Sequence, residues 1–251
     1  PRAPRVLVTN AAGGETFGDW LYAGTQSALP VLYEIYAEAA RRHFAGTLAG
    51  KLVISGGMGG AGGAQPLAAA LHGAAFLGID ADAERIKRRV KNGYCEVMVN
   101  NLDEALRMLK NAVRQRKSVS IGLIGNCAEL FPELAQRGIV PDLLTDYTPA
   151  EPPCDGYIPA RLQTASESVA AQLQGVRDLE KLGTRVVNSE TVLDYLRPLF
   201  DDGWRLSTWL ALSGEPSDLA RLDRLALESF PGEQRIQRCL AMAGKYVRFQ
   251  G

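Results

Sequence analysis

Residues 51–71 read KLVISGGMGGAGGAQPLAAAL, which is an apolar stretch, a run of glycines and then a segment of helix formers. Within the run, Gly57, Gly59 and Gly62 satisfy the pattern G-x-G-x-x-G. Glycines let the backbone approach a pyrophosphate closely, and the backbone amides and helix dipole that follow attract its charge. The stretch predicts a strand, a phosphate-binding loop and a helix. A flexible turn with tight helix packing remains the alternative, whereas a P-loop is disfavoured because no Gly-Lys-Ser/Thr follows.

The next predicted strand, residues 73–80, ends in Asp80. In a dinucleotide site, an acid that binds the adenosine ribose follows the first glycine by about 20 residues. Asp80 has that position, and its charge favours NAD over NADP. Arg85 is open to three roles, since it can accept a phosphate, pair with Asp80 or cover the adenine. The basic run KRRVK at 87–91 is predicted to be a solvated helix face, with phosphate contact as the minor option.

The whole chain alternates short β-rich segments with longer helical ones, a pattern typical of βαβ units. We therefore expect an α/β fold, a Rossmann-like and mostly parallel sheet flanked by helices, with a helical C-terminal part. The proline-rich stretch 147–161 is predicted to be a loop. Strands are predicted at 6–9, 51–55, 75–79, 119–124, 142–145 and 185–187, and helices around 29–40 and 102–113 and at 164–182, 216–230 and 233–246.

Composition disfavours several classes of function. The chain has 251 residues, of which 46% are hydrophobic and 22% charged, as in ordinary globular proteins. Its 28 Lys+Arg balance 28 Asp+Glu, which argues against a nucleic-acid or anionic-membrane surface. No apolar run approaches the roughly 20 residues of a membrane helix, and the start lacks a secretory signal, so we expect the cytoplasm. Four cysteines without CxxC spacing and only two histidines predict reduced thiols and no metal site.

A second turn, in IGLIGNCAEL at 121–130, follows another predicted strand. Ligands of open α/β sheets bind at the carboxyl ends of strands, so Asn126 and the amide of Cys127 are candidate ligand contacts. The alternative is that Asn126 only caps the next helix, and the motif alone favours this alternative. The Cys127 thiol is a possible nucleophile, but a buried and inert thiol is the commoner situation.

Six segments together resemble the urocanase (urocanate hydratase) family in their order and in most of their spacings. They are WLYAGTQ from Trp20, GGMGGAGGAQPLA from Gly56, IGLIGNCAEL from Ile121, DGYIPA from Asp155, YLRPLF from Tyr195 and LALSGEPSD from Leu210. The resemblance implies a homodimer with tightly held NAD that acts on urocanate or a related imidazole acrylate. In this family NAD is an electrophile toward the imidazole ring, not a hydride carrier, and water addition gives imidazolonepropionate.

The resemblance also implies a domain arrangement and a set of cofactor contacts. Residues 1–20 would be a piece of a surrounding core, 21–195 the NAD-binding domain and 196–251 a C-terminal helical part, with further core segments missing or trimmed. No catalytic acid or base is assigned. The cofactor contacts carried over by motif are Gly60, Ala61, Gly62, Asp80 (usually Glu in the family), Arg85, Asn126, Cys127, Thr148, Tyr157 and Ile158, which join Gly57 and Gly59 from the glycine pattern.

This sequence departs from the family pattern at four places. Gly13-Gly14-Glu15 stand in place of a YGQM-like sequence, and the FDYGNN segment expected before RPLF is not recognisable. The family segment QTSAH is replaced by YTPAE at 147–151, and Asp201 stands where a cysteine follows RPLF. Asp201 is open to a role as acid or base or to a place in a solvated turn. Three hypotheses follow: a urocanase-type hydratase, an NAD-binding relative without hydratase activity, and an NAD-dependent oxidoreductase.

Overall fold

The structure is a computed structural model that describes residues 7–9, 15–17, 25–148, 165–201, 221, 224–225, 227–232 and 237. Up to residue 201 it contains eight strands and seven α-helices, and residues 221, 224–225 and 227–229 are also helical. The strands are β1 (Leu7–Thr9), β2 (Glu15–Phe17), β3 (Leu52–Gly56), β4 (Ala75–Asp80), β5 (Val97–Val99), β6 (Val119–Ile124), β7 (Leu143–Asp146) and β8 (Arg185–Val186). The helices are α1 (Thr25–His43), α2 (Gln65–Leu71), α3 (Ala83–Lys91), α4 (Leu102–Gln115), α5 (Cys127–Gln136), α6 (Ala165–Lys181) and α7 (Ser189–Asp201).

Six strands form one sheet in the order β5-β6-β4-β3-β7-β8, and every pairing in it is parallel. The chain first adds strands on one side of β3, and β7 then pairs with the other side of β3. The predicted Rossmann-like sheet flanked by helices is therefore confirmed. A separate antiparallel pair is formed by β1 and β2.

Helices cover both faces of the sheet, because successive side chains of a strand point to opposite sides. Val53 and Phe76 pack with α1, α2, α3 and α7 on one face. Their neighbours Ile54 and Leu77 pack with α4, α5 and α6 on the other. All six residues of β4 are buried, as expected for a strand in the middle of a parallel sheet.

Side-chain caps begin three of the helices. Asp82, Asn101 and Asn126 each accept a hydrogen bond from a backbone amide in the first turn of α3, α4 and α5, at 2.9, 3.0 and 2.9 Å. Gly138, just beyond the end of α5, has a φ of 63°, a left-handed conformation that favours glycine and ends the helix.

Two short strands were not predicted from the sequence. Strand β5 is an edge strand of three residues, and β2 also has three, too few for an alternating pattern to stand out. Most of the predicted loop at 147–161 and of the helices at 216–230 and 233–246 lies outside the described residues. Among the described residues, no helix is both long and apolar enough to span a membrane.

Candidate functional site

The candidate site lies at the carboxyl ends of β3 and β7, where the strand order reverses. Gly56, the last residue of β3, is in register with Asp146, the last residue of β7. The two following turns touch, because a Cβ on Gly57 would lie 2.7 Å from the carbonyl oxygen of Tyr147. Open α/β sheets bind their ligands in the crevice at such a reversal. Fold topology therefore selects the same loop that the glycine pattern selects.

The glycine loop turns sharply and leaves backbone amides at the surface. Gly57 has a φ of 82°, a conformation that favours glycine. Gly60 and Ala61 are exposed, and among the described hydrogen bonds none is donated by the amides of Gly59, Gly60 or Ala61. A Cβ on Gly59 would meet nothing within 4 Å. Consecutive amides without a described acceptor are the kind of backbone donors that bind an anion.

Two buried charged side chains hold Met58 in this loop from opposite sides. The Asp80 carboxylate accepts a hydrogen bond from the Met58 amide at 2.7 Å. The Arg89 guanidinium donates to the Met58 carbonyl at 3.1 Å and to the Gly59 carbonyl at 3.0 Å. The Met58 side chain is fully buried against Gly78 of β4, where a Cβ would lie 2.3 Å from its sulfur. The loop is thus fixed through both its backbone and its side chain.

A buried polar network lies directly beneath the loop. Gln65, at the start of α2, donates to the Ser55 hydroxyl at 2.6 Å. Its side-chain oxygen accepts from the hydroxyls of Tyr36, at 2.5 Å, and Thr145, at 2.6 Å. Burial is the main cause that raises the pKa of Tyr36 far above its usual value, so this phenol stays protonated as a donor. The network ties α1 and α2 to the ends of β3 and β7.

Asp146, Thr148 and Gln172 form a second polar group, which lies beside the glycine loop at the end of β7. The Asp146 carboxylate accepts from the Thr148 amide at 3.0 Å and from its hydroxyl at 2.7 Å. Gln172 of α6 is buried and donates to Asp146 and, at 2.6 Å, to the Thr148 hydroxyl. Asp146 is exposed and therefore supplies a carboxylate at the surface beside the glycine loop.

Comparison with known families identifies this architecture. Residues 24–189 match the model of the Urocanase Rossmann-like domain, and residues 198–251 match that of the Urocanase C-terminal domain. The chain belongs to the urocanase family. Urocanases are hydro-lyases, and the family is known to bind NAD. The first match contains every residue of the candidate site described above.

The urocanase motifs of this chain converge at one edge of the sheet. In addition to the glycine loop, Asp80 ends β4 and its backbone carbonyl accepts from Gly125, just before Asn126. Thr148 adjoins Gly57, since a Cβ on Gly57 would lie 3.0 Å from the Thr148 amide nitrogen. Tyr157 and Ile158, the remaining predicted contacts, lie outside the described residues.

Several open alternatives are narrowed by the geometry. Asn126 caps α5 as one hypothesis held. The Cys127 thiol is buried and faces the Ile79 carbonyl at 3.7 Å, which disfavours the nucleophile hypothesis and leaves the Cys127 backbone as the possible contact. Arg85 approaches Asp80 at 3.8 Å and Asp82 at 3.4 Å, as the pairing hypothesis held.

The prediction of a solvated face at 87–91 is wrong at Arg89, which is only 6% exposed. Arg89 follows the buried Ile86 by three residues, so helical spacing places both side chains on the inner face of α3. That spacing could have revealed from the sequence that Arg89 is buried. Asp146 could have been found as a site residue because it directly follows the predicted strand 142–145. Gln65 had no such signal, because a polar residue in an alanine-rich helix is ordinarily exposed.

Proposed function

We propose that this chain is a urocanase-type hydratase that holds NAD⁺ at the carboxyl ends of β3 and β7 and adds water to urocanate or a related imidazole acrylate. The observation that carries the proposal is the glycine loop with outward amides at the strand-order reversal, within the segment that matches the Urocanase Rossmann-like domain. The hydrogen bonds that fix this loop argue against a merely flexible turn.

The residues present suit a dinucleotide. The amides of Gly59, Gly60 and Ala61 would donate hydrogen bonds to the pyrophosphate. The open space beside Gly59 leaves room for a phosphate group. Asp80 would accept a hydrogen bond from a hydroxyl of the adenosine ribose. One of its carboxylate oxygens is bound by the Met58 amide and the other by the Asp82 amide, and each oxygen can accept a further hydrogen bond. Since α2 has only seven residues, the amides themselves would contribute more than a helix dipole.

When bound, NAD⁺ supplies an electron-accepting ring that is not consumed in a net redox change. The chain's own contribution would be binding and orientation. The turn after β7, with Tyr147 and Thr148, would form the opposite wall of the cofactor site and exclude water from it. Gln172 keeps Asp146 and Thr148 in place, so this wall would be ordered before any ligand binds.

The first experiment asks whether NAD is present. The purified protein is denatured and the released small molecules are identified by mass spectrometry, and calorimetric titration with NAD⁺ follows if none is found. Turnover of urocanate is then measured by the loss of its near-ultraviolet absorbance. Protein that neither releases nor binds NAD⁺ would refute the proposal.

A second candidate is an NAD-binding relative that lacks hydratase activity. It is favoured by the sequence at 147–151, where YTPAE replaces the amide and histidine of the family segment QTSAH. Retention of NAD together with no turnover of a panel of imidazole acrylates would select this candidate. Formation of NADH with an alcohol or acid substrate would instead indicate an oxidoreductase.

The same proposal includes a domain arrangement and an assembly. Residues 21–195 would form the NAD-binding domain and 196–251 a C-terminal part, and two chains would form a homodimer. Light scattering coupled to size-exclusion chromatography measures the assembly directly, and a monomeric mass would remove this part of the proposal.

A further inference from the structure

Arg89 occupies an unusual position for an arginine. It lies on α3 and is 6% exposed, and its guanidinium faces the inner side of the glycine loop. Its burial lowers its pKa from the ordinary value, but an arginine titrates so far above neutrality that it stays charged. A buried charge is costly unless it is hydrogen-bonded, so its partners indicate what it does.

Those partners are two consecutive backbone carbonyls, of Met58 at 3.1 Å and of Gly59 at 3.0 Å. A trans peptide unit is planar, and its carbonyl and amide point in opposite directions. The Met58 carbonyl therefore fixes the amide of Gly59, and the Gly59 carbonyl fixes the amide of Gly60. Both amides must point away from Arg89, toward the open side of the loop.

The last glycine of the run is explained by the same side chain. A Cβ on Gly63 would lie 2.1 Å from Arg89 Nε and 2.8 Å from its Cζ. Gly63 thus makes room for the guanidinium. The backbone carbonyl of Gly59 also accepts from the Gly63 amide at 2.9 Å, so Arg89, Gly59 and Gly63 form one compact unit.

We infer that Arg89 is a positioning residue for dinucleotide binding, which turns the amides of Gly59 and Gly60 toward the pyrophosphate by holding the carbonyls behind them. This inference rests on the proposed NAD site. Arg89 would not touch the cofactor, and it acts through the loop backbone. Its role is the reverse of the usual one, in which an arginine binds the phosphate itself.

The test compares Arg89→Lys and Arg89→Met with the control Arg88→Met, which alters an exposed neighbour in the same helix. Affinity for NAD⁺ and ADP is measured by calorimetry well below each unfolding midpoint. We expect Arg89→Met to bind both ligands at least about tenfold more weakly, equivalent to about 1.4 kcal/mol. A lysine keeps the positive charge but lacks the planar guanidinium, so we expect the affinity of Arg89→Lys to lie between those of the wild type and Arg89→Met. The control Arg88→Met should bind both ligands like the wild type.

A double-mutant cycle with Gly63→Ala separates positioning from general stability. Alanine at 63 displaces the guanidinium and should weaken ADP binding in the Arg89 background. In the Arg89→Met background the same alanine should lower ADP affinity much less, because the flexible methionine end can move aside without breaking a hydrogen bond to the loop. Equal losses in both backgrounds, or wild-type affinity in Arg89→Met, would overturn the inference.

Hydrogen exchange of the ligand-free protein provides a readout that needs no cofactor. The amides of Gly57, Met58 and Gly63 donate to the Ile79 carbonyl, the Asp80 carboxylate and the Gly59 carbonyl, so a peptide spanning 57–65 should be protected. We expect faster exchange there in Arg89→Met and no change in Arg88→Met. Wild-type protein that binds no dinucleotide would refute the proposed function, while unchanged exchange in Arg89→Met would refute the role of Arg89.

Discussion

Replacing Gly62 with alanine tests the close approach on which the glycine loop depends. A Cβ at this position would lie 2.1 Å from the carbonyl oxygen of Gly57 and 2.9 Å from its carbonyl carbon. Both atoms belong to backbone, which cannot rotate away as the end of a long side chain does. The loop itself must therefore move to accommodate a methyl group.

The size of the movement follows from the distance. Real Cβ atoms do not come within 3.0 Å of such an atom, so the gap must open by about 0.9 Å (3.0 − 2.1). Overpacking of this kind costs about 1–3 kcal/mol, and the lower entropy of the unfolded alanine chain offsets about 0.4–1 kcal/mol. The middle values of the two ranges give a net loss of about 1.3 kcal/mol, which corresponds to about 3–5 °C in the unfolding midpoint of a chain of this size.

The matched control is Gly59→Ala in the same loop. A Cβ on Gly59 would meet nothing within 4 Å, so this variant should unfold at or slightly above the wild-type temperature. Its methyl group would nevertheless occupy the space proposed for the pyrophosphate. We expect Gly59→Ala to lose NAD⁺ affinity while keeping its stability, whereas Gly62→Ala should lose both.

Calorimetry measures both quantities on the same preparations, by thermal unfolding and by titration with NAD⁺. If Gly62→Ala unfolds together with Gly59→Ala and the wild type, the close approach of Gly62 to Gly57 is wrong. If Gly59→Ala binds NAD⁺ normally, the pyrophosphate does not lie beside Gly59, even though the loop geometry stands.

Three further predictions concern the support of the loop and the opposite end of the sheet. Asp80→Asn should lower both stability, by about 1–2 kcal/mol in urea unfolding, and NAD⁺ affinity, because the amide offers one acceptor atom in place of two. Gln65→Leu leaves buried hydroxyls without their partner and should cost about 2–4 kcal/mol in the same assay; a loss below about 1 kcal/mol would contradict the network. Desolvation and the neighbouring Arg185 and Arg42 lower the pKa of His43 below its ordinary 6.5, so the unfolded chain binds a proton more readily and stability falls as the pH drops below that value. Melting temperatures across this pH range should fall less in His43→Gln, and an unchanged pH profile would contradict the lowered pKa.

The fold was predictable because its strands are continuous apolar runs and its helices carry local start and stop signals. Strands β3, β4 and β6 are buried in a parallel sheet, so almost every residue in them is apolar or glycine. Asn101 and Asn126 cap helices by contacts with residues two or three positions away, which sequence spacing records directly. Strand β5 carried no such signal, since its three residues gain strand structure only by pairing with β6.

The parts of the candidate site that are formed by backbone could be predicted from the sequence. The parts that depend on contacts between side chains far apart in the chain could not. A glycine pattern indicates a backbone that comes close to another part of the chain or to a ligand, where a side chain would not fit. Gln65 and Thr145 are 80 positions apart in the chain, and nothing local indicates that they share a hydrogen bond. Arg89 and Met58 are 31 positions apart, and the basic residues around Arg89 suggested a solvated surface.

Asp80 is proposed to bind the adenosine ribose, and it also holds the glycine loop in place. One carboxylate oxygen accepts from the Met58 amide and the other from the Asp82 amide, so the residue proposed to select the ribose also shapes the loop proposed to bind the pyrophosphate. Neutralising it to admit the 2′-phosphate of NADP would therefore weaken the same loop. A change of cofactor preference would require a substitute that still accepts from Met58, while Arg85 supplies the positive charge for the added phosphate. In this geometry, selectivity for the ribose and affinity for the pyrophosphate are coupled through a single side chain.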